Sequence, residues 1–136
     1  MTNIALPGIR ILLVEDEPFI RGTLRRMLRT LGCAEVREAS DGTEALEALK
    51  GGFRPDLLLC DVQMAPMDGL TLLRRLQEGG SPQHARIPAV MLTVATDEET
   101  VRQARGLGIS GYLVKPVSPA ILADRVNAVL RRSMAA

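Results

Sequence analysis

Short apolar runs alternate five times with segments of helical periodicity along the 136-residue chain, and this alternation constrains the fold more than any other feature. The apolar runs are rich in Leu, Val and Ile and almost uninterrupted, as expected of strands that are buried on both faces of a sheet. The predicted strands are residues 9–14, 34–39, 56–61, 87–93 and 111–115. The first three predicted helices are residues 18–31, a helix between 40–42 and 51–52, and a helix that begins at 68–69. The last two are residues 96–107 and a helix from 119 to about 132. Residues 79–86 are predicted to form a loop.

Five strand–helix pairs with short connections predict an α/β fold: a doubly wound, five-stranded parallel sheet with helices on both faces. A chain of this length suits one domain, so residues 1–136 are expected to form a single domain with a core at about 9–132. The composition, 46% hydrophobic and 24% charged, favours a packed core over disorder.

Composition and the N-terminal sequence argue against several classes of function. A formal net charge of +1 gives no electrostatic basis for binding nucleic acid or a membrane, and aromatic residues are too scarce for a base-stacking platform. The two cysteines, Cys33 and Cys60, form no zinc-binding pattern. The chain has no signal-peptide pattern and no apolar run of about 18 residues, so a cytoplasmic protein is expected.

Polar side chains stand where four of the predicted strands end. Glu15 and Asp16 follow strand one, Asp61 ends strand three, Thr93 ends strand four and Lys115 ends strand five. Ligands of parallel α/β sheets bind beyond the carboxyl ends of the strands, so these side chains are expected to converge.

Three neighbouring carboxylates need a compensating charge, and oxygen ligands without His or Cys favour Mg²⁺ over zinc. A carboxylate beside Mg²⁺ and a lysine could attack a phosphoryl group, with Thr93 donating a hydrogen bond to a phosphoryl oxygen. Alone, Glu15 and Asp16 could merely stabilise the N-terminus of the following helix.

Four stretches of the sequence, ILLVEDEP, LLLCDVQMAPMDG, MLT and GYLVKP, resemble the response-regulator receiver domains of two-component signalling, of the chemotaxis-Y type. They span nearly the whole chain in the order and at the spacing of that family. The resemblance implies a flavodoxin-like sheet with strand order 2-1-3-4-5 and five helices. It implies a signalling receiver that catalyses only its own phosphorylation and dephosphorylation, in which Asp61 accepts a phosphoryl group from a histidine kinase or a histidine phosphotransfer protein. Asp16, Asp61 and the backbone carbonyl of Gln63 would bind Mg²⁺, with Glu15 contributing through water.

The resemblance also assigns roles to three further side chains. Lys115 would contact the phosphoryl group, and the Lys115–Pro116 peptide bond would be cis. Thr93 and Tyr112 would form a switch pair, in which Thr93 moves towards the phosphoryl group and Tyr112 turns into the space that Thr93 leaves. The surface of the fourth helix, fifth strand and fifth helix around Tyr112 would then bind a downstream protein target. Simple packing of Tyr112 is the alternative.

Three positions depart from the family pattern. Family loops more often carry proline directly after the methionine that follows the phosphoacceptor, whereas residues 64–69 read MAPMDG and place Pro66 one position later. Glu15 stands where aspartate is commoner, and Val94 stands where a very small residue is usual. The extra methyl groups of Val94 are expected to narrow the access of phosphodonors or of water to the phosphoacceptor.

Other functions remain open on the sequence alone. A phosphate shuttle or sink in a phosphorelay would use the same residues, and so would a receiver that no kinase controls. An aspartyl-phosphate phosphatase would need an acid at position 63, where the chain has Gln63. A flavodoxin-like cofactor binder would need a hydroxyl- and glycine-rich phosphate loop after strand one, where residues 15–17 read EDE. The last helix is predicted to end near residue 132, and only residues 131–136 lie at or beyond this end. A stand-alone receiver with a protein–protein output is therefore expected.

Arg21, Arg25 and Arg29 recur every fourth residue on the first predicted helix. Like charges at this spacing mildly destabilise a helix, and a solvated face is the simpler interpretation. The second hypothesis is a docking stripe for the kinase or phosphotransfer protein, because the first helix borders the acidic strand ends.

Overall fold

The structure is a computed structural model that describes residues 6, 8–79, 81–94 and 98–135. Its strands are β1 (Arg10–Val14), β2 (Glu35–Ala39), β3 (Leu57–Asp61), β4 (Ala89–Val94) and β5 (Gly111–Lys115). Its helices are α1 (Pro18–Thr30), α2 (Gly42–Lys50), α3 (Gly69–Glu78), α4 (Pro82–Ala85), α5 (Glu98–Gly106) and α6 (Pro119–Ala135). The strands form one parallel sheet in the order β2-β1-β3-β4-β5, which confirms the predicted fold class and strand order.

Residues 79–86, which were predicted to form a loop, contain the one-turn helix α4, so the described residues hold six helices where five were expected. Ser81 caps this turn: its Oγ accepts the N–H of His84 at 3.4 Å, and Pro82 occupies the first helical position. A single turn is too short to show an apolar period, and for that reason the sequence pattern did not indicate it.

The other elements match the predictions apart from shifts at their ends. β4 starts at Ala89, later than predicted, because Pro88 has no N–H to donate to the strand ladder. The predicted start of the fourth helix at Thr96 lies outside the described residues, and α5 is described from Glu98. Across the described part of the chain, no helix has both the length and the apolar character that a membrane crossing requires.

Two hydrophobic clusters cover the two faces of the sheet, and alternate residues of the central strands belong to different clusters. Along β1, Ile11 and Leu13 pack with residues of α1 and α6, whereas Leu12 and Val14 pack with residues of α2 and α3. Every residue of β3 is buried, up to and including Asp61. Burial on both faces explains why the strand sequences are almost continuously apolar.

Three helices begin near the carboxyl edge of the sheet, each behind an acidic N-cap. The side chains of Glu17, Asp41 and Asp68 each accept a backbone N–H from the first turn of α1, α2 and α3, respectively. At Gly69, the first residue of α3, an added methyl group would collide with the backbone oxygen of Asp61. α3 therefore starts directly against the end of β3, and only glycine allows this approach.

Candidate functional site

Lys115 joins the ends of three strands into one site. It is the last residue of β5, and its Nζ lies 2.6 Å from Oε1 of Glu15 and 2.9 Å from Oδ2 of Asp61. Glu15 follows β1 and Asp61 ends β3, so the ammonium group reaches past β4 to both carboxylates. The structure thus brings these three side chains together, as their positions at the strand ends predicted.

Three carboxylates lie close enough to share one cation. One carboxylate oxygen from each of Glu15, Asp16 and Asp61 lies within 4.8 Å of the other two. Glu15 and Asp61 are buried, whereas Asp16 is exposed and opens the cluster to solvent. A set of oxygen donors with one side open to water suits a hard divalent cation such as Mg²⁺, which keeps several water ligands when it binds to proteins. The donors present therefore fit the predicted Mg²⁺ site.

The protonation states of the site follow from burial and from the shared ammonium group. Burial raises the pKa of Glu15 to about 7, although the hydrogen bond from Lys115 acts in the opposite direction. Burial alone would lower the pKa of Lys115, but its hydrogen bonds to Glu15 and Asp61 outweigh this and raise the pKa above its ordinary value. Lys115 therefore stays charged at neutral pH, and this one ammonium group faces a cluster of three acids. A divalent cation in the cluster would favour the charged form of Glu15.

The backbone of Glu15 is held as firmly as its side chain. Its Oε2 accepts the N–H of Glu17 at 3.2 Å, and its own N–H donates to the carbonyl oxygen of Ala39 in β2 at 3.0 Å. Nη1 of Arg21 donates to the carbonyl oxygen of Glu15 at 2.8 Å. The segment that carries the acids is thus bonded both to β2 and to α1.

Asp61 has one oxygen that is only weakly bonded. Its Oδ2 accepts a hydrogen bond from Lys115, whereas the one partner of Oδ1 in the described part of the chain is the N–H of Gln63, at 3.4 Å. Gln63 is exposed and lies beside the acid, but the role of its carbonyl group as a Mg²⁺ ligand stays a prediction. The arrangement leaves Oδ1 as the oxygen of Asp61 that is available to a reaction partner.

Residues 62–68, the loop after β3, contain the displaced proline. The Ala65–Pro66 peptide bond is cis, and so is the Lys115–Pro116 bond, as the family resemblance implied. The carbonyl oxygen of Met67 accepts the N–H of Gly42 at 3.0 Å, which attaches the loop to the start of α2. The loop therefore has a defined path in spite of its altered proline position.

Thr93 and Tyr112 lie together on the β4–β5 side of the site. Thr93 is buried and follows Leu92, the residue that pairs with Asp61 between β3 and β4. Thr93 and the half-buried Tyr112 line one cavity of about 500 Å³. Cζ of Arg105 lies 5.8 Å from the centroid of the Tyr112 ring, which is a cation–π distance. The two members of the predicted switch pair thus share a cavity, and their movement stays a prediction.

An apolar groove of about 450 Å³, called the α1 groove below, lies between α1 and the segment that follows β5, and Lys115 is part of its lining. Phe19 is 76% exposed at this groove, and Val94 is 58% exposed there. Sequence reasoning missed Phe19; the available signal was an aromatic residue at the start of α1 that does not belong to the helix's apolar face. The effect of Val94 on access to Asp61 stays a prediction.

Two arginines of α1, Arg21 and Arg25, are paired with the neighbouring strand β2. Nε of Arg21 and Nη1 of Arg25 lie 3.4 Å and 3.3 Å from the two carboxylate oxygens of Glu38 in β2. Sequence reasoning favoured a solvated face, with a docking stripe as the second hypothesis, and missed both this pairing and the contact of Arg21 with Glu15. The available signal was Glu38, an acid on the strand next to β1. The hypothesis of a docking stripe remains a prediction.

Comparisons with known proteins agree with this geometry. The family model of the response regulator receiver domain matches residues 11–127. The protein Regulator of RpoS from Escherichia coli K12 is 38% identical over 112 residues, which are 82% of this chain but 32% of that protein, so the chain spans about a third of the length of this relative. Chemotaxis protein CheY-3 from Vibrio cholerae is 32% identical over 132 residues, 97% of this chain and 99% of that protein. The solved structure of the chemotaxis response regulator CheY4 of Vibrio cholerae is similar with a TM-score of 0.80 at 32% identity, over 90% of this chain and 98% of that one. The chain belongs to the family of response regulator receiver domains.

Proposed function

We propose that this receiver domain accepts a phosphoryl group on Asp61 with the help of Mg²⁺ and that phosphorylation changes a protein-binding surface around Tyr112. The observation that carries the proposal is the position of Lys115, whose Nζ contacts Asp61 and Glu15 inside the cluster of three carboxylates. An acid that is buried, paired with a charged lysine and surrounded by cation ligands has the surroundings of a phosphoryl acceptor.

The proposed reaction uses Asp61 as the nucleophile. Its weakly bonded Oδ1 attacks the phosphorus atom of a phosphohistidine, the new O–P bond forms as the P–N bond breaks, and the imidazole leaves with the electron pair and takes up a proton. Lys115 stabilises the negative charge on the transferred oxygens, and its contact with Glu15 keeps the ammonium group in place when the bond to Asp61 is exchanged for one to the phosphoryl group.

The carboxylates have a separate task in the proposal. Asp16, Asp61 and the carbonyl group of Gln63 would hold Mg²⁺, and Glu15 would contribute through water. When bound, Mg²⁺ supplies positive charge that offsets the neighbouring carboxylates and the phosphoryl oxygens. Asp16, which is exposed, and Glu15, which is buried, give the site an open and a closed side. A phosphodonor would therefore approach from the side of Asp16.

The phosphodonor in this proposal is a histidine kinase or a histidine phosphotransfer protein that docks on the α1 groove. The groove adjoins Lys115, and its exposed side chains Phe19 and Val94 are apolar. A protein that presents its histidine to Asp61 must cover surface next to the site, and an apolar groove there supplies the burial that drives association. The proposal therefore assigns the main docking contacts to this groove, while Arg21 and Arg25 pair with Glu38.

The output in this proposal depends on Thr93 and Tyr112. The phosphoryl group adds negative charge and acceptor oxygens, towards which the hydroxyl group of Thr93 can turn. Because Tyr112 lines the same cavity as Thr93, a movement of Thr93 frees space for the tyrosine ring. The exposed neighbour Val114, on the same strand, would then lie in a changed surface for a downstream protein.

Phosphoryl uptake tests the proposed function. The protein is incubated with acetyl phosphate or phosphoramidate and Mg²⁺, and its intact mass is measured. The expected result is a gain of one phosphoryl group that requires Mg²⁺ and disappears in Asp61→Asn. No gain with either donor, or an equal gain in Asp61→Asn, would contradict the assignment.

A further inference from the structure

We propose that Arg21 is a positioning residue of the acidic cluster, which fixes the Glu15–Asp16 peptide group so that Asp16 faces the cation site. The inference rests on the proposed function, because it concerns Mg²⁺ binding by the same cluster. It gives a role to a helix side chain that touches none of the three carboxylate groups.

The guanidinium group of Arg21 makes two contacts of different kinds. Nη1 donates to the backbone carbonyl oxygen of Glu15 at 2.8 Å, a charge-assisted hydrogen bond. Nε lies 3.4 Å from Oε1 of Glu38, and the Arg21 side chain is 22% exposed. The ion pair with β2 therefore sets the orientation of the guanidinium group that holds the carbonyl.

Glu15 is consequently fixed on both sides of its Cα atom. Its N–H donates to the carbonyl oxygen of Ala39 in β2, and its carbonyl oxygen accepts from Arg21. A peptide group is planar, so fixing the carbonyl of Glu15 also fixes the N–H and the Cα of Asp16. That plane thus places the Cα atom from which the Asp16 side chain starts.

Asp16 depends on its backbone more than the other two acids do. Glu15 and Asp61 both accept hydrogen bonds from Lys115, whereas the exposed carboxylate of Asp16 has no hydrogen bond or ion pair within the described residues. Since no side chain holds this acid, the placement of its Cα atom by the main chain is what keeps it beside the other two. Groups that orient metal ligands in this way usually change metal affinity by ten- to a hundredfold, roughly, when they are removed.

A simple charge effect predicts the opposite sign. The guanidinium group of Arg21 is positive and lies near the cation site, so its removal would strengthen Mg²⁺ binding if charge alone mattered. Loss of orientation weakens Mg²⁺ binding instead. The sign of the change therefore separates the two explanations.

Arg25 provides a matched control in the same helix. Its Nη1 lies 3.3 Å from Oε2 of Glu38, so it shares the acidic partner of Arg21, but it makes no hydrogen bond with Glu15 among the described residues. Removing Arg25 deletes a comparable α1–β2 ion pair and a positive charge without touching the Glu15–Asp16 peptide group. A purely structural role of these arginines would affect both variants alike.

Calorimetric titration of the full chain with MgCl₂ tests the inference, and thermal unfolding checks that each variant is folded. Arg21→Met is expected to weaken Mg²⁺ binding about tenfold, whereas Arg25→Met should leave the affinity unchanged or slightly stronger. Arg21→Lys keeps the charge but replaces the two guanidinium nitrogens that contact Glu15 and Glu38 separately with a single ammonium group on a flexible stem. Its affinity should therefore lie between those of the wild type and Arg21→Met.

Three outcomes would overturn the inference. Arg21→Met could bind Mg²⁺ as well as or better than the wild type, or Arg25→Met could weaken binding as much as Arg21→Met. If Arg21→Met does not fold, Arg21→Lys decides, and wild-type affinity in that variant counts against the inference. A wild-type protein that binds no Mg²⁺ would overturn the proposed function as well, which distinguishes that failure from the other three.

Discussion

On the β1–β3 side of the site, Glu15 and Asp61 are buried and bonded to Lys115, whereas on the β4–β5 side Thr93 and Tyr112 border a cavity of about 500 Å³. The acidic half comprises Glu15, Asp16, Asp61 and the ammonium group of Lys115, which bonds to Glu15 and Asp61. The switch half comprises Thr93, Tyr112 and Arg105. Fixed hydrogen bonds preorganise groups for a reaction, while an adjoining cavity gives side chains room for a second packing. Under the proposed function, the first half serves the phosphoryl transfer and the second serves the change of shape.

The largest effect is expected from Lys115→Met, which removes the one ammonium group of the acidic half. The rate of phosphoryl uptake from acetyl phosphate at saturating Mg²⁺ should fall about a hundredfold, because charge on the transferred oxygens loses its fixed partner. A time course of intact mass measures the rate. Lys50→Met, which changes the chain's only other lysine at an exposed position of α2, should react as the wild type does. Equal rates in both variants would remove the basis for a preorganised acidic half.

Two glycine substitutions compare the packing of the halves. Gly69→Ala places a methyl group against the backbone oxygen of Asp61, so the free energy of unfolding should fall by about 2 kcal/mol or more. In Gly106→Ala, at the end of α5, the added methyl group meets no described atom within 4 Å beyond its chain neighbours and the backbone of its own helix. The substitution should change stability by less than about 1 kcal/mol, in the stabilising direction. Urea denaturation measures both. A Gly69→Ala protein as stable as Gly106→Ala would show that α3 does not abut β3 so closely.

The raised pKa of Glu15 predicts opposite pH effects on Mg²⁺ binding and on metal-free stability. Mg²⁺ binding should strengthen as the pH rises through about 7, because the carboxyl group must lose its proton to contribute its negative charge to the site through water. Without metal, the folded protein holds this proton more tightly than the unfolded chain. The stabilising contribution of protonated Glu15 is therefore present below its ordinary pKa of 4.5 and is lost as the pH rises to about 7.

Glu15→Gln should remove both effects. The measurements are calorimetric Mg²⁺ titrations and metal-free urea denaturation at about pH 5 and about pH 8, on either side of the raised pKa of about 7. Glu47→Gln, at an exposed position of α2, serves as the control. If Glu15→Gln retained the pH dependence of the wild type, another group would have to be responsible for it.

The smallest effect on the reaction is expected from Thr93→Ala, in the switch half. Phosphoryl uptake should slow by less than about tenfold, because Thr93 contributes at most one hydrogen bond. The response of Tyr112 should be lost, however. Tyr112 is the only tyrosine and the chain has no tryptophan, so tyrosine fluorescence before and after phosphorylation reports on this one ring. Thr93→Ser keeps the hydroxyl group and should keep the fluorescence response of Tyr112. A full fluorescence response in Thr93→Ala would show that the movement of Tyr112 does not depend on Thr93.

The sequence predicted the acidic half well because topology alone determines it. Once alternating strands and helices indicate a parallel sheet, residues at the strand ends must lie at one edge. Asp61 ends a continuously buried strand, and Lys115 ends β5 before a proline, so both positions could be inferred without knowledge of any side-chain conformation.

Features that depend on side-chain paths could not be inferred in the same way. The contact of Arg21 with Glu15 requires a particular path of a long side chain and an acid on β2 to hold it. The exposure of Phe19 in the α1 groove depends on how α1 packs against the segment after β5. The helix α4 was missed because one turn has no apolar period. Sequence periodicity reports which face of an element is buried, but not which polar groups meet across elements.

The most direct test of the whole account is the position of the phosphoryl group. Protein phosphorylated with acetyl phosphate and Mg²⁺ is reduced with borohydride, which converts an aspartyl phosphate to homoserine, and the digested chain is analysed by mass spectrometry. The account predicts homoserine at position 61 and at no other acid. It also predicts that the wild-type protein gains no homoserine when Mg²⁺ is left out of the phosphorylation. Homoserine at position 16, reduction at Glu15, or label on a residue outside the cluster would contradict it.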